Sequence, residues 1–513
     1  MSQKYVIGVD MGTTSTKSVL FTEEGAVVAV HGIEYPLHSP TPEVAEQDPN
    51  EIFQAVLGTI KEVMTQSGTQ ADDILCVSFS SAMHSVIAMD EAGEPITACI
   101  TWADNRAAEW TERIRAEMNG HEIYLRTGTP LHPMSPLSKL TWLRYDHPDI
   151  YNRTHKFISI KEYIFYKLFH TYVIDYSIAS ATGMFNLQQL GWDEEALLVT
   201  GVTPDKLSKP VPTTYSLTGM DELYALATGL SIRTPFVVGA SDGVLSNLGV
   251  NAIEPGVVAI TIGTSGAIRA VTDRPVTDPK GRIFCYALAD NLWVIGGPVN
   301  NGGMILRWAK EQFGQLEMAE AELTGDNVYD KLTELASGVK AGSDGLLFHP
   351  YLSGERAPLW DANARGSYFG LGLHHKKEHL IRATLEGVIL NLYTVFLALE
   401  ELIGVPHKIQ ATGGFARSEL WRQMMSDIFD QEVHVPESVE SSCLGAVILG
   451  LYSLGRVDSL QVVSEMVGAS HKHVPNKANA QIYRELVPIF VRVSRLLKEE
   501  YEEIAAFQKK WMN

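Results

Sequence analysis

Asp10-Met11-Gly12-Thr13-Thr14-Ser15-Thr16-Lys17 follows an apolar run at residues 5–9 and precedes a second one at 18–21. A Glu24-Gly25 turn and a third run at 26–31 come next, so the Gly/Thr segment joins two strands of a hairpin. Past residue 250 the pattern returns. Val257-Val258-Ala259-Ile260-Thr261-Ile262 leads into Gly263-Thr264-Ser265-Gly266, then Ala267-Ile268-Arg269-Ala270-Val271. Gly12-Thr13-Thr14 matches Gly263-Thr264-Ser265 at a separation of 251 residues, and Val6-Ile7 matches Val257-Val258 in the same register. One strand–loop–strand unit in each half implies two similar α/β domains facing each other. The boundary is expected near 250–256, where Asn251, Pro255 and Gly256 break the pattern, giving domains 1–250 and 251–513.

Size and charge agree with that plan. A chain of 513 residues is too long for one ordinary core. Hydrophobic residues at 45% and charged residues at 20% describe a globular protein. The formal charge of −20 excludes a nucleic acid or anionic membrane held by long-range attraction, and an anionic substrate would need locally placed cations. Cys76, Cys99, Cys285 and Cys443 lie far apart without a C-x-x-C pair, which favours buried reduced thiols over a metal site. Residues 1–10 lack an apolar signal region, and no apolar run of membrane-spanning length, about 20 residues, stands out. A cytoplasmic protein is expected.

Other elements follow from local pattern. Asp48-Pro49-Asn50-Glu51 combines an N-cap, a proline at the first helical position and an acid at the third. Phe53, Val56, Leu57, Ile60 and Met64 then recur at helical spacing. Strands are expected at 74–80, 86–90, 96–100 and 409–412, and helices at 379–402 and 478–508.

The Gly/Thr loops are the first chemical candidates. Glycine admits a phosphate close to the backbone, and successive N–H groups with threonine hydroxyls supply donors. An ordinary hairpin turn is the alternative for either loop alone; their duplication favours a polyphosphate clamped from two sides. Asp10 precedes the first loop and is replaced by Thr261 in the second copy, so it is not part of the shared scaffold. It suits a Mg²⁺ held through water, or a local turn hydrogen bond. Lys17 suits either phosphate contact or a solvated strand position. Asp242 ends the run Phe236-Val237-Val238-Gly239-Ala240-Ser241 and suits a general base, or an N-cap for the apolar run 244–250. Met83, His84, Trp102, Asp104 and Arg106 follow two strand ends and resemble the rim of a sugar site. Thr412-Gly413-Gly414 ends a strand with a turn on which a flat base can lie. There is no G-x-x-x-x-G-K-[ST] loop and no protein-kinase signature set.

With the two loops and Thr412-Gly413-Gly414 in this order, the chain resembles the FGGY carbohydrate kinases essentially from end to end. Gly366-x-Tyr368-x-Gly370-Leu371, followed after seven residues by His379-Leu380-x-x-Ala383-Thr384-Leu385-Glu386, is similar to that family's C-terminal signature. So is Tyr351-Leu352-Ser353-Gly354-Glu355-Arg356-Ala357-Pro358 to another typical stretch. The upstream signature, Met134-Ser135-Pro136-Leu137-Ser138-Lys139-Leu140-Thr141-Trp142-Leu143, is similar to the family's at first and departs at Tyr145, expected on a helix surface. The resemblance implies two duplicated actin-like (ribonuclease H-like) α/β domains with a central inter-domain cleft. It implies Asp242 as catalytic base and Asp10 as the acid associated with Mg²⁺. ATP would contact Gly12, Thr13, Thr14, Gly263, Thr264, Ser265, Gly302, Gly413 and Gly414. Met83, His84, Trp102, Asp104 and Arg106 fall at the acceptor-sugar segments. The implied activity is ATP-dependent phosphorylation of a small sugar or sugar acid, with no nucleic-acid or membrane partner. Ala82-Met83-His84 disfavours glycerol, and several stretches, including 296–303, resemble the gluconate-using members more than the xylulose-using ones. A substrate carboxylate would take Arg106, Lys161 or Arg356 as partner. The rival classes are an actin- or Hsp70-like ATPase and an inactive sugar sensor. The oligomeric state, a homodimer among the alternatives, stays open.

Overall fold

In the computed structural model, which describes residues 3–436, 440–468 and 470–511, strand β1 (Tyr5–Met11) lies between two partners. Its side chains Val6, Ile7, Val9 and Met11 are all buried, as expected of a strand covered on both faces. β2 (Ser15–Thr22) returns antiparallel to it, and β3 (Val27–Glu34) pairs with β2 at the sheet edge, where Val27, Val28 and Val30 stay exposed. Helix α1 (Pro49–Ser67) starts on the Asp48 cap, whose side chain accepts from Asn50 N at 2.8 Å, and stops at Gly68 with φ +65°. Its buried face, Ile52, Phe53, Val56, Leu57, Ile60, Val63 and Met64, packs on the same core as Ile7 and Val9.

β4 (Ile74–Ser81) runs parallel to β1, the short β5 (Ser216–Leu217) pairs antiparallel with β6 (Phe236–Ser241), and β6 runs parallel to β4. The sheet order is β5-β6-β4-β1-β2-β3. Helix α2 (Asp242–Gly249) begins directly after β6 and packs on the helix Ser441–Ser453. These belong to one unit, formed by Met1–Ile253, Val271–Ile295 and Glu440–Gly468. The two helices approach at glycines: a Cβ at Gly445 would lie 2.1 Å from the Leu245 carbonyl oxygen, and one at Gly249 1.8 Å from that of Ser441.

The second unit comprises Glu254–Ala270, Gly296–Val439 and Ala469–Asn513. β7 (Val257–Ile262) and β8 (Gly266–Thr272) form its antiparallel hairpin. Helices α3 (Gly303–Phe313), α4 (Val328–Ser337) and α5 (Lys377–Ile403) follow. β9 (Lys408–Thr412) pairs parallel with β7, helix α6 (Glu419–Phe429) comes next, and β10 (Val433–Pro436) pairs parallel with β9. The order β8-β7-β9-β10 repeats, with the same strand senses, the order β2-β1-β4-β6 of the first unit.

Three details differ from the sequence reading. The first loop spans Gly12–Ser15 between the paired Met11 and Thr16, but the second spans only Gly263–Ser265 between the paired Ile262 and Gly266, so the repeat slips by one residue past the loop. The C-terminal stretch forms two helices, Lys477–Leu496 and Lys498–Trp511, with a break at Leu497. Helix α5 is long and apolar enough to cross a membrane, contrary to the expectation that no such stretch occurs, and 78% of its apolar window is buried. All four cysteines are free and buried, and burial pushes the thiols of Cys76, Cys99 and Cys285 up to about 12.

Gly445→Ala should lower stability by about 1–3 kcal/mol, because the added methyl meets backbone that cannot yield cheaply. Thermal unfolding checks this. A melting temperature within about a degree of the wild type, less than the few degrees such a loss produces, would show that the two helices can separate at no cost.

Candidate active site

The first unit gathers its chemistry at one edge of the sheet. β1 and β6 both run parallel to β4, with Asp10 and Ala240 each opposite Ser80, and Met11 and Ser241 each opposite Ser81. The carboxyl ends of the three strands therefore coincide, and each delivers functional groups there: Asp10 and the Gly12 loop from β1, Ala82-Met83-His84 after β4, and Asp242 after β6. Ends of parallel strands are the usual ligand-binding edge of such sheets.

Asp10 is tied down by two hydroxyls. Its Oδ1 accepts from Ser80 Oγ at 2.7 Å and its Oδ2 from Ser442 Oγ at 2.8 Å. The loop beside it has every carbonyl engaged. Tyr35 Oη donates to Gly12 O at 2.8 Å, Gln47 Nε2 to Thr13 O at 2.6 Å, and Tyr35 N to Thr14 O at 3.1 Å. Trp102 Nε1 donates to Thr13 Oγ1 at 2.8 Å, joining an expected acceptor residue to an expected phosphate residue. A small cavity lined by Gly12, Thr13, Tyr35, Gln47, Met83 and Trp102 brings these groups together. Lys17 pairs with Glu440 at 3.0 Å; burial pulls its pKa down, and the Glu440 partner outweighs this and holds it above its usual value.

Asp242 is the first residue of α2, not its cap; the capping position is Ser241, whose side chain makes no capping bond. One Asp242 oxygen accepts from Gly243 N at 2.6 Å. Behind it, the buried Lys161 reaches Val238 O and Ala240 O at 3.0 Å each and Asp175 Oδ2 at 2.7 Å. Burial lowers the Lys161 pKa against the pull of Asp175, and Asp242 contributes to the same field. Lys161 thus braces the end of β6.

His84 lies in left-handed backbone, φ +69°, and is almost fully buried. Its Nδ1 meets Ala181 O at 2.7 Å; facing a carbonyl, that nitrogen carries the proton. The His84 carbonyl accepts from Lys139 Nζ at 2.8 Å, and the same ammonium donates to Met134 O at 2.6 Å. Lys139 is fully buried, which lowers its pKa to about 7. Asp104 is 1% exposed and accepts from Ala45 N and from the backbone and guanidinium of Arg106. Arg106 also contacts Glu46 and lies 4.8 Å over the Trp142 ring. Asp104 and Arg106 are therefore bonded to each other, two residues apart.

In the second unit, Gly303 N donates to Gly263 O at 2.7 Å and Met304 N to Thr264 O at 3.1 Å, so the second loop rests on the start of α3. A Cβ at Gly302 would lie 2.4 Å from Ser265 O, and one at Gly413, φ +103°, 2.2 Å from Ile262 O. A cavity of about 240 Å³ is lined by Gly263, Thr264 and Gly414 together with Arg307, Asn327, Tyr329 and Arg417. Ser265, Gly302 and Gly413, expected at the nucleotide, are not among the residues that line it. Arg356, the remaining cation expected for a substrate carboxylate, is buried, with Nε on Asn300 Oδ1 at 2.7 Å.

The sequence reading missed Tyr35, Gln47, Ser80 and Ser442 around the first loop, and Asn327 and Tyr329 at the cavity. Ser80-Ser81 at a strand end carried a signal, and so did Asn327 as the cap of α4, whose side chain accepts from Tyr329 N. Ser442 carried none. No group of three or more His, Cys, Asp or Glu side chains able to hold a metal occurs among the described residues.

The FGGY carbohydrate kinase N-terminal domain matches residues 5–249, and the C-terminal domain matches 258–454. The gluconokinase of Bacillus subtilis is 60% identical over 506 residues, 98% of each chain. The xylulose kinase of the same organism is 27% identical over 510 residues, 99% of this chain and 100% of its own. Among solved structures, gluconate kinase from Lactobacillus acidophilus superposes with a TM-score of 0.93 at 37% identity, covering 98% of this chain and all of that one. This two-unit α/β chain belongs to the FGGY family of carbohydrate kinases.

Proposed function

We propose that the protein transfers the γ-phosphoryl group of ATP to the terminal hydroxyl of D-gluconate, giving 6-phosphogluconate and ADP. The observation that carries this reading is the 60% identity to a gluconokinase along nearly the whole chain, against 27% to the xylulose kinase of the same organism. The match spans 98% of each chain.

In this reading the first unit supplies the acceptor site, the first phosphate loop and the base, and the second supplies the nucleotide cavity. The acceptor sits by Met83, His84 and Trp102. Its hydroxyl oxygen attacks the γ-phosphorus, the bond to the β-phosphate oxygen breaks, and Asp242 takes the hydroxyl proton. Trp102, hydrogen-bonded to Thr13, links acceptor and phosphate loop so that both keep one geometry. Asp104 acts at one remove: it fixes Arg106 and the Ala45 backbone. Lys139 holds the strained His84 backbone through its carbonyl. The duplicated loops, each with its carbonyls or backbone held by protein donors, fit anions that need N–H groups.

Asp10, with each oxygen already accepting from a serine hydroxyl, fits a Mg²⁺ approached through water better than one ligated directly. The ion, arriving with ATP, would neutralise phosphate charge.

An ADP-release assay with Mg·ATP and D-gluconate, D-xylulose, L-ribulose, L-rhamnulose or glycerol tests the acceptor. Gluconate should lead in kcat/KM by about tenfold or more, roughly 1.4 kcal/mol of transition-state preference; a lead for xylulose would overturn the gluconate reading. Asp242→Asn should bind nucleotide and acceptor but lose kcat by about 100- to 10,000-fold. Near-normal turnover would remove Asp242 from the base role. Excess chelator should abolish phosphorylation, and added Mg²⁺ should restore it; activity that persists without divalent ions would refute the metal assignment.

A further inference from the structure

Glu355 is fully buried in the second unit and does not line the nucleotide cavity, yet four N–H groups converge on it. Its Oε1 accepts from Asn300 N at 2.6 Å and Arg356 N at 2.8 Å. Its Oε2 accepts from Asn301 Nδ2 at 2.9 Å and, across from helix α5, Asn391 Nδ2 at 2.7 Å. Burial pushes the carboxyl up, but every contact is a donor, so the arrangement requires the carboxylate. The same turn is fastened twice more: Asn301 Nδ2 donates to Gly354 O at 2.7 Å, and Asn301 Oδ1 accepts from Ser353 N at 3.2 Å.

Asn300 and Asn301 lead directly into Gly302 and Gly303. Gly303 N and Met304 N hold the carbonyls of Gly263 and Thr264, and Gly302 lies too close to Ser265 O to admit a Cβ. Turning those carbonyls toward α3 fixes the peptide planes of the loop, and with them the direction of its N–H groups. We propose that Glu355 is a positioning residue for the nucleotide phosphates, acting through Asn300 and Asn301 on the Gly263-Thr264-Ser265 loop. This rests on the reading of that loop as a phosphate site.

Glu355→Gln preserves size, but either amide orientation sets an NH₂ group against two N–H donors. Asn301→Ala keeps the carboxylate and cuts its side-chain link to the turn. Calorimetric titration of full-length protein with Mg·ADP, with no acceptor present, reads the effect directly. Both variants should bind ADP at least tenfold more weakly and show a raised KM for ATP, with the acceptor KM within twofold of wild type. A purely structural role would instead lower the active fraction, and so kcat, at unchanged ADP affinity. Folded variants with ADP affinity within twofold of wild type would overturn the proposal, and so would loss of folding in both. A wild-type protein that binds no ADP would instead refute the phosphate-site reading beneath it.

Discussion

The parallel register of three strands is the constraint on which the rest of the site depends. Ser80 on β4 faces Asp10 on one side and Ala240 on the other, so the ends of β1, β4 and β6 lie level. A slip of one residue in the β1 ladder would turn Asp10 to the opposite face, and one in the β6 ladder would shift the start of α2, which carries Asp242. The hydrogen bond from Ser80 to Asp10 makes the register chemical as well as geometric, because a hydroxyl on the central strand orients the acid on its neighbour. Lys161 does the same for the third strand, with two β6 carbonyls on its ammonium and Asp175 as counterion. Helix α2, which opens with Asp242, is then held by glycine-mediated contact with the helix Ser441–Ser453, the helix that sends Ser442 to Asp10. One helix thus supports both Asp10 and the helix that opens with Asp242.

Much of this was legible in the chain because it is local. A Gly/Thr turn between two apolar runs, an acid at the end of a strand, and a Gly-Gly turn after another each write their chemistry within about six residues. Duplication made the loops stand out. Their difference in length was not legible, since Thr14 and Ser265 look equivalent until the cross-strand pairs are known. Asp104 and Arg106 sit two residues apart in a strand-end segment where nothing local predicts that they bond to each other. Ser442 is 432 residues from its partner Asp10, and no spacing argument bridges that distance. Glu355 was visible only as part of a family stretch; its four donors come from three separate segments.

The two units hold their Gly/Thr loops by different local means. In the first, side chains from outside the hairpin, Tyr35 and Gln47, take up the loop carbonyls. In the second, the start of a helix does so, and a buried carboxylate anchors the turn before that helix. The shared feature is carbonyls drawn into the protein, and under the proposed function the remaining loop N–H groups serve an anionic co-substrate on a chain of net charge −20. Overall charge and local dipole direction thus act in opposite senses, and the local term governs at contact distance.

The central claim is that Asp242 meets the acceptor hydroxyl at the level strand ends. A crystal structure with D-gluconate and a non-hydrolysable ATP analogue tests it most directly. The account predicts the terminal gluconate oxygen about 2.6–3.2 Å from an Asp242 carboxylate oxygen, with Trp102 and Met83 against the sugar chain. Gluconate bound with its terminal hydroxyl away from Asp242, and that carboxylate satisfied by protein alone, would contradict it.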